Sequence, residues 1–243
     1  MTITRAQDEL FARGTSAREK YARLIVGRAS LSALLKYELV VALSQWVPGA
    51  PGLALRKMLY PTLLGACGRN VVFGQNVVLR HPHKIRIADD VVIDDNVLLD
   101  AKGADNEGIT LGRRVFIGRN TILSCKNGSI RVADGANIGF NCEIFSASLV
   151  SVGPNALIAA YSYLIGGDHG FADPTQTVLA QERRSSGVTI GDGAWVGAGA
   201  KVLDGVEVGV GAIIGAGAVV RESIPAGAVA AGVPARVIKM RHA

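Results

Sequence analysis

The chain has 243 residues, of which 30 are glycine and only about 5% aromatic, with 26 basic residues against 20 acidic ones. That length supports one sizeable core without disulfide staples. So much glycine argues against a helical bundle, because each interior glycine costs roughly 0.5–1 kcal/mol relative to alanine, and the glycines keep no period of three, which excludes collagen.

The first 66 residues contain no short repeat and read as helical. Residues 1–60 hold nine basic and four acidic side chains, so the excess charge sits in front and the rest of the chain is close to neutral. A net charge of +6 would permit nucleic acid, a membrane surface or an anionic ligand, but its confinement to one segment removes the case for nucleic acid. Asp8 and Glu9 stand where the apolar stretch of a signal peptide should begin. From Ala17 to Trp46 there is no proline, and Tyr21, Leu24, Ile25, Leu31, Leu34, Leu35 and Leu39 recur near helical spacing. Pro48 and Pro51 should end that helix, and a shorter one is expected from Leu53 to Tyr60. Two roles fit the segment. It can cap the open end of a stacked repeat, or residues 31–64, with Tyr37, Trp46 and Tyr60, can lie in a membrane interface.

From about Phe73 the sequence falls into hexads that open on an aliphatic residue and gather Gly, Asn and Asp near their centre: IADDVV from Ile87, IDDNVL, LGRRVF, IGRNTI, VADGAN, IGFNCE, VGPNAL and IAAYSY. Five more follow without a slip from Ile190: IGDGAW, VGAGAK, VLDGVE, VGVGAI and IGAGAV. An inward side chain every sixth residue requires a short strand and a tight corner per hexad, and three such sides close a coil of about 18 residues stacked at ~4.8 Å. Corners take Gly, Asn and Asp because they need positive φ or local side-chain hydrogen bonds. The pattern therefore predicts a single-stranded parallel β-helix over residues 67–235, of seven to eight coils, followed by a basic tail at 236–243. A β-sandwich would show period two instead.

A prism filled with aliphatic side chains has no interior pocket, so chemistry belongs where the register breaks, at about 101–108 and 167–187. The longer excursion carries His169, one of four histidines. His81 and His83 are two apart and read as surface residues of a first corner, and no spacing suits a metal, so none is expected. Cys67, Cys125 and Cys142 fit neither a metal pair nor a disulfide framework, which points to a reduced cytoplasmic protein; in the membrane reading of the front segment, the inner face of the membrane is the peripheral site.

From Asp168 the stretch DHGFADP, then Gln181, then VTIGDGAWVGAGAKVLDGVEVGVGAIIGAGAVVRESIPAGAVAAGVPARVI, resembles the hexapeptide-repeat acyltransferases, in particular galactoside, maltose and polysaccharide O-acetyltransferases. The resemblance covers about residues 71–240. It implies a left-handed β-helix, a homotrimer with sites between prisms, acetyl-CoA as co-substrate, and a sugar or polysaccharide-precursor hydroxyl as acceptor. It further implies His169 as catalytic base, Asn141 near the acceptor hydroxyl, Ala198 and Ala216 along the pantetheine arm, Trp195 in the donor site, and Arg236 and Lys239 near the nucleotide phosphates. The chain departs from the resemblance at VVRESIP, where Arg221 and Glu222 replace a Thr-Lys pair of the phosphate grip of many relatives; Arg221 is the donor-site candidate at that place. Imidazole suits the chemistry, since its reference pKa near 6.5 lets it take a hydroxyl proton and return it to the thiolate. An amino-sugar N-acetyltransferase, a zinc hydratase, a serine acetyltransferase and a non-catalytic scaffold are the competing readings. The zinc enzymes' His-x4-His pair and the serine enzymes' Asp-His-Ala-Thr stretch are both absent.

Overall fold

The computed structural model describes residue 14 and residues 16–241; Asp8, Glu9 and His242 lie outside the described residues. The repeats form a left-handed β-helix of about eight coils. Its three faces are parallel sheets, one strand per coil, and each strand pairs with the equivalent strand of the next coil. Within the stack, strand backbone groups that point along the axis thus meet partners one layer away.

Side chains stack by the same register. The first face buries Ile85, Ile109, Ile130, Val150 and Val188; the second buries Phe73, Ile93, Ile117, Ile138, Ile158, Val196 and Ile214; the third buries Leu79, Leu99, Leu123, Ile144, Leu164, Val202 and Val220. These columns are the core.

Corner chemistry follows position as well. Between the second and third faces the residue three after the buried aliphatic always has φ between 54° and 69°: Asn76, Asn96, Asn120, Asn141, Tyr161, then Gly199 and Gly217. Asparagine tolerates this left-handed region and can bond its neighbour one coil away, as Asn120 Nδ2 does to Asn141 Oδ1 at 3.1 Å. Glycine takes over in the last coils.

Coil length is not uniform. Partner residues lie 18 apart at Thr189↔Glu207 and Trp195↔Ile213 and 16 apart at Ile213↔Val229; lower down they are 20 (Val72↔Val92, Asn137↔Leu157) or 21 apart (Phe116↔Asn137), and 24 (Val92↔Phe116) or 38 apart (Leu157↔Trp195) across the two register breaks. The extra residues collect at the corner from third face to first, where strands such as Ile122–Cys125 and Glu143–Ser146 are also longer. Both register breaks, 101–108 and 167–187, leave from this same edge.

The front segment differs from its expected outline. Instead of one helix there are α1 (Ala17–Tyr21), a π-helical turn Ala22–Val26, and α2 (Leu31–Ser44), with α3 at Gly49–Leu59. The break falls at Gly27, whose φ of 73° and position against the His81 and His83 rings leave no room for a side chain. Pro51 lies in the first turn of α3, where no backbone N–H is needed, so α3 begins earlier than Leu53.

These helices close the first coil chemically. Tyr37 Oη donates to Leu79 O (2.9 Å), Tyr60 Oη to Val77 O (2.9 Å), and Arg56 Nε to Phe73 O (3.0 Å), each capping a carbonyl that has no coil beneath it. Arg56, 1% exposed, also holds Ser44 O and Val47 O through one nitrogen. His81 is not on the surface: the front segment covers it to 6% exposure, and its N–H donates to Ile25 O at 2.7 Å. At the far end, Ala235–Met240 runs antiparallel to Ala228–Gly232 and pairs the last strand of the second face.

Replacing Arg56 by Met should lower unfolding free energy by about 2–4 kcal/mol, since three carbonyls lose a charged donor, read as a reduced urea midpoint. Burial, and next the nearby His83, push His81 down to about 4. Its neutral form therefore stabilises the fold fully above its unfolded value near 6.5, and that stabilisation is lost as pH falls towards 4. Thermal melts from neutral to acid pH should fall less steeply for His81→Gln than for the wild type; parallel curves would contradict this.

Candidate active site

The long excursion is a built loop. Asp168–His169 pairs with Arg183–Arg184 as a short antiparallel ribbon, opposing His169 to Arg183, and a 3-10 turn lies at Val178–Ala180. At its tip, Asp173 accepts from Thr175 and Gln176, which holds its carboxyl below the usual range, while Gln181 exchanges hydrogen bonds with the Asp173 backbone at 3.1 and 2.9 Å. At its root, the Asp204 carboxylate accepts from the N–H groups of Ser186 and Gly187 (2.8–3.0 Å), and Ser185 Oγ donates to Gly166 O at 2.9 Å. The 18-residue coil above thus fixes the loop by its own corner.

His169 lies at the boundary of two cavities. The larger, about 630 Å³, faces the upper coils and includes Phe171, Arg184, Leu203, Asp204 and Arg221 in its lining. The smaller, about 270 Å³, faces the lower coils and includes Lys126, Phe145, Tyr163 and Arg183. Phe145 and Tyr163 meet edge to face at 5.8 Å, and Lys126 Nζ stands 5.6 Å from the Phe145 ring centre. His169 Nδ1 is buried and, among the described residues, has no hydrogen-bond partner. Asp168 does not orient the imidazole; its carboxylate accepts from the His169 backbone N–H at 2.7 Å.

The expected site residues separate into groups. Arg221 joins His169 in the larger cavity, and Glu222 links Arg221 (3.7 Å) to Arg236 (3.4 Å). Asn141, Ala198 and Ala216 lie together on a different edge, between the second and third faces. There the column Arg119, Phe140, Ala160, Ala198, Ala216 passes from large to small, Arg119 lying 4.5 Å over the Phe140 ring, and leaves an exposed ledge along the upper coils. Trp195 is on the outer surface of the second face, 46% exposed, between Leu157 and Ile213. Lys239 pairs with Val229 at the end of that face. Within one chain, then, His169 meets Arg221 but neither Asn141 nor the alanine ledge.

Lys126, Phe145, Tyr163 and Arg183 escape sequence reasoning. Phe145 and Tyr163 stand on strands at positions where hexads impose nothing, Lys126 directly follows its strand, and Arg183 sits inside the excursion opposite His169, so no repeat spacing links the four.

The thiols offer no nucleophile. Burial pushes Cys125 up to about 12 and raises Cys67 and Cys142 as well. Among the described residues no three His, Cys, Asp or Glu side chains converge to hold a metal ion.

A left-handed β-helix of hexads with a histidine loop at one edge defines a class, and comparison with known proteins agrees with it. Residues 187–222 match the family described as bacterial transferase hexapeptide (six repeats). Nodulation protein L of Rhizobium leguminosarum bv. viciae is 39% identical over 135 residues, 54% of this chain and 70% of that one, and the chain belongs to the hexapeptide transferase family. WbbJ of Escherichia coli K12, whose name provisionally makes it a lipopolysaccharide biosynthesis O-acetyl transferase, is 36% identical over 46% of this chain and 61% of its own. Among solved structures, AntD, an N-acyltransferase from Bacillus cereus in complex with dTDP and 3-hydroxybutyryl-CoA, shares the fold with a TM-score of 0.54 at 21% identity, over 82% of this chain and 91% of that one. The chain spans 55–70% of the length of the curated relatives it matches.

The raised thiols imply that iodoacetamide leaves Cys125 and Cys142 unlabelled in the native protein and labels both in urea. Native labelling of Cys125 detected by mass spectrometry would contradict its burial.

Proposed function

We propose that the chain is an acetyl-CoA-dependent O-acetyltransferase acting on a hydroxyl of a sugar or polysaccharide precursor, with His169 as general base. The observation that carries this reading is His169 held between two cavities by a loop rooted on Asp204. Family membership supplies acyl transfer, and the likeness of residues 168–240 to O-acetyltransferases, together with the name of the E. coli relative, favours an oxygen acceptor.

The two cavities suit the two substrates. The smaller offers aromatic Phe145 and Tyr163 for the apolar face of a sugar ring and Lys126 and Arg183 for its oxygens. The larger leads towards the upper coils, where Arg221 and Arg236 supply charge for phosphates. As the hydroxyl oxygen attacks the thioester carbon, its proton passes to the imidazole. The C–S bond then breaks, and the same proton goes to the departing thiolate. No covalent enzyme intermediate is needed, in keeping with the protonated thiols.

Asn141, Ala198 and Ala216 lie on a different edge of the prism from His169. Their participation therefore requires the edge of a neighbouring prism, as in a homotrimer with its sites between subunits. The ledge of small side chains at Ala160, Ala198 and Ala216 would let a thin pantetheine arm run close to the backbone.

His169→Ala should lower thiol release from acetyl-CoA about 10²–10⁴-fold with sugar acceptors, without changing the assembly mass. Unchanged turnover would overturn the assignment of the base. Acetylation of amino sugars with hydroxyl acceptors left untouched would move the reading to N-acetyl transfer.

A further inference from the structure

Helix α2 is apolar on two sides, and only one side is covered. Tyr37, Val40 and Ser44 are buried over the first coil, whereas Leu31, Leu35, Leu39 and Leu43 are 51–61% exposed. Spaced four apart, they form one row along the helix, about 18 Å long at 1.5 Å per residue. Trp46, two residues past the end of α2, is 65% exposed, and Met58 on α3 is 70% exposed. Single exposed leucines are ordinary, but a contiguous row on a water-soluble surface needs an occupant.

Charge indicates which occupant. Residues 16–66 hold seven basic side chains and two acidic ones, and with Arg56 buried over the first coil six of the cations remain outside it. Both carboxylates are engaged: Glu19 caps Ser16, and Glu38 accepts from Tyr21 Oη at 2.6 Å. Arg23, Arg28 and Lys57 are exposed. Beside the row a cavity of about 250 Å³ is lined by Arg28, Ser30, Ser32, Lys36 and His83 among others, with cations and hydroxyls but no carboxylate.

We propose that this front segment docks the protein on an anionic phospholipid surface, with the leucine row and Trp46 in the headgroup–acyl boundary and the surrounding cations at lipid phosphates. A second copy packed row to row would bring two strongly basic fronts together, and like charge opposes that contact. The contact lies in the membrane plane, because no helix among the described residues is long and apolar enough to cross a membrane. It places the proposed transferase beside lipid-linked acceptors, but it rests on the front segment alone and not on the reaction.

Co-sedimentation of the full chain with phosphatidylcholine vesicles, with and without phosphatidylglycerol, tests this. The wild type should pellet with the phosphatidylglycerol vesicles, come off at high salt, and lose at least about tenfold in partition when Leu35→Glu and Leu39→Glu are combined. Both positions are exposed, so melting temperature and transfer to a soluble acceptor should be unchanged in that variant. Absence of wild-type pelleting, or equal pelleting of the double variant, overturns the proposal. So does a double variant whose only change is a smaller assembly mass, which would make the row a self-association face. Activity on the soluble acceptor, lost or kept, reports on the proposed reaction independently.

Discussion

Each coil of this prism satisfies its backbone hydrogen bonds on the coils above and below it, and the rest of the molecule is arranged around that requirement. Stacking at one layer per coil forces equivalent residues into columns, so the interior becomes ladders of Ile, Val and Leu with no space for a substrate. Catalysis is displaced to the edges. The two ends, where a layer of partners is missing, draw on other chemistry. At the lower end Tyr37, Tyr60 and Arg56 supply the donors, and at the upper end the antiparallel strand Ala235–Met240 pairs the last strand of the second face, Ala228–Gly232.

The three edges are not equivalent. The corner between second and third faces stays tight throughout and carries the left-handed Asn and Gly column. The corner from third face to first absorbs every irregularity: the longer lower coils, the 101–108 break, and the loop with His169. Length changes at a corner leave the inward register on either side intact, so an insertion there costs little beyond loop closure. That edge is also where Phe145 and Tyr163 of the lower coils come beneath His169 and where Leu203, Asp204 and Arg221 of the upper coils come above it. A histidine at this point has a floor and a ceiling of different character, which is the basis for assigning the two substrates to the two sides.

The fold was legible because an aliphatic residue every sixth position has no other simple solution, and the loop was legible because it interrupts that pattern around a rare histidine. Coil length was less so. The added corner residues, such as Ala147 and Ser148, have no period, and hexads alone suggest 18 where the lower coils take 20 or 21. His81 read as a surface residue because nothing in RHPHKI reveals that Gly27 and Ile25, more than fifty positions earlier, lie over it. The resemblance supplied His169, Asn141, Ala198 and Ala216 as one set. The structure distributes them over two edges, a separation that linear sequence cannot show and that turns the oligomeric state into part of the catalytic proposal.

That proposal has a direct test in subunit complementation. His169→Ala and Ala198→Trp each disable one edge, the first removing the base and the second filling the pantetheine ledge. If sites form between prisms, co-expression of the two inactive variants should restore about a quarter of wild-type turnover, the share of interfaces left with both intact edges by random assortment in a closed ring. Purified mixed assemblies that contain both variants and show no recovery would contradict a site shared between chains.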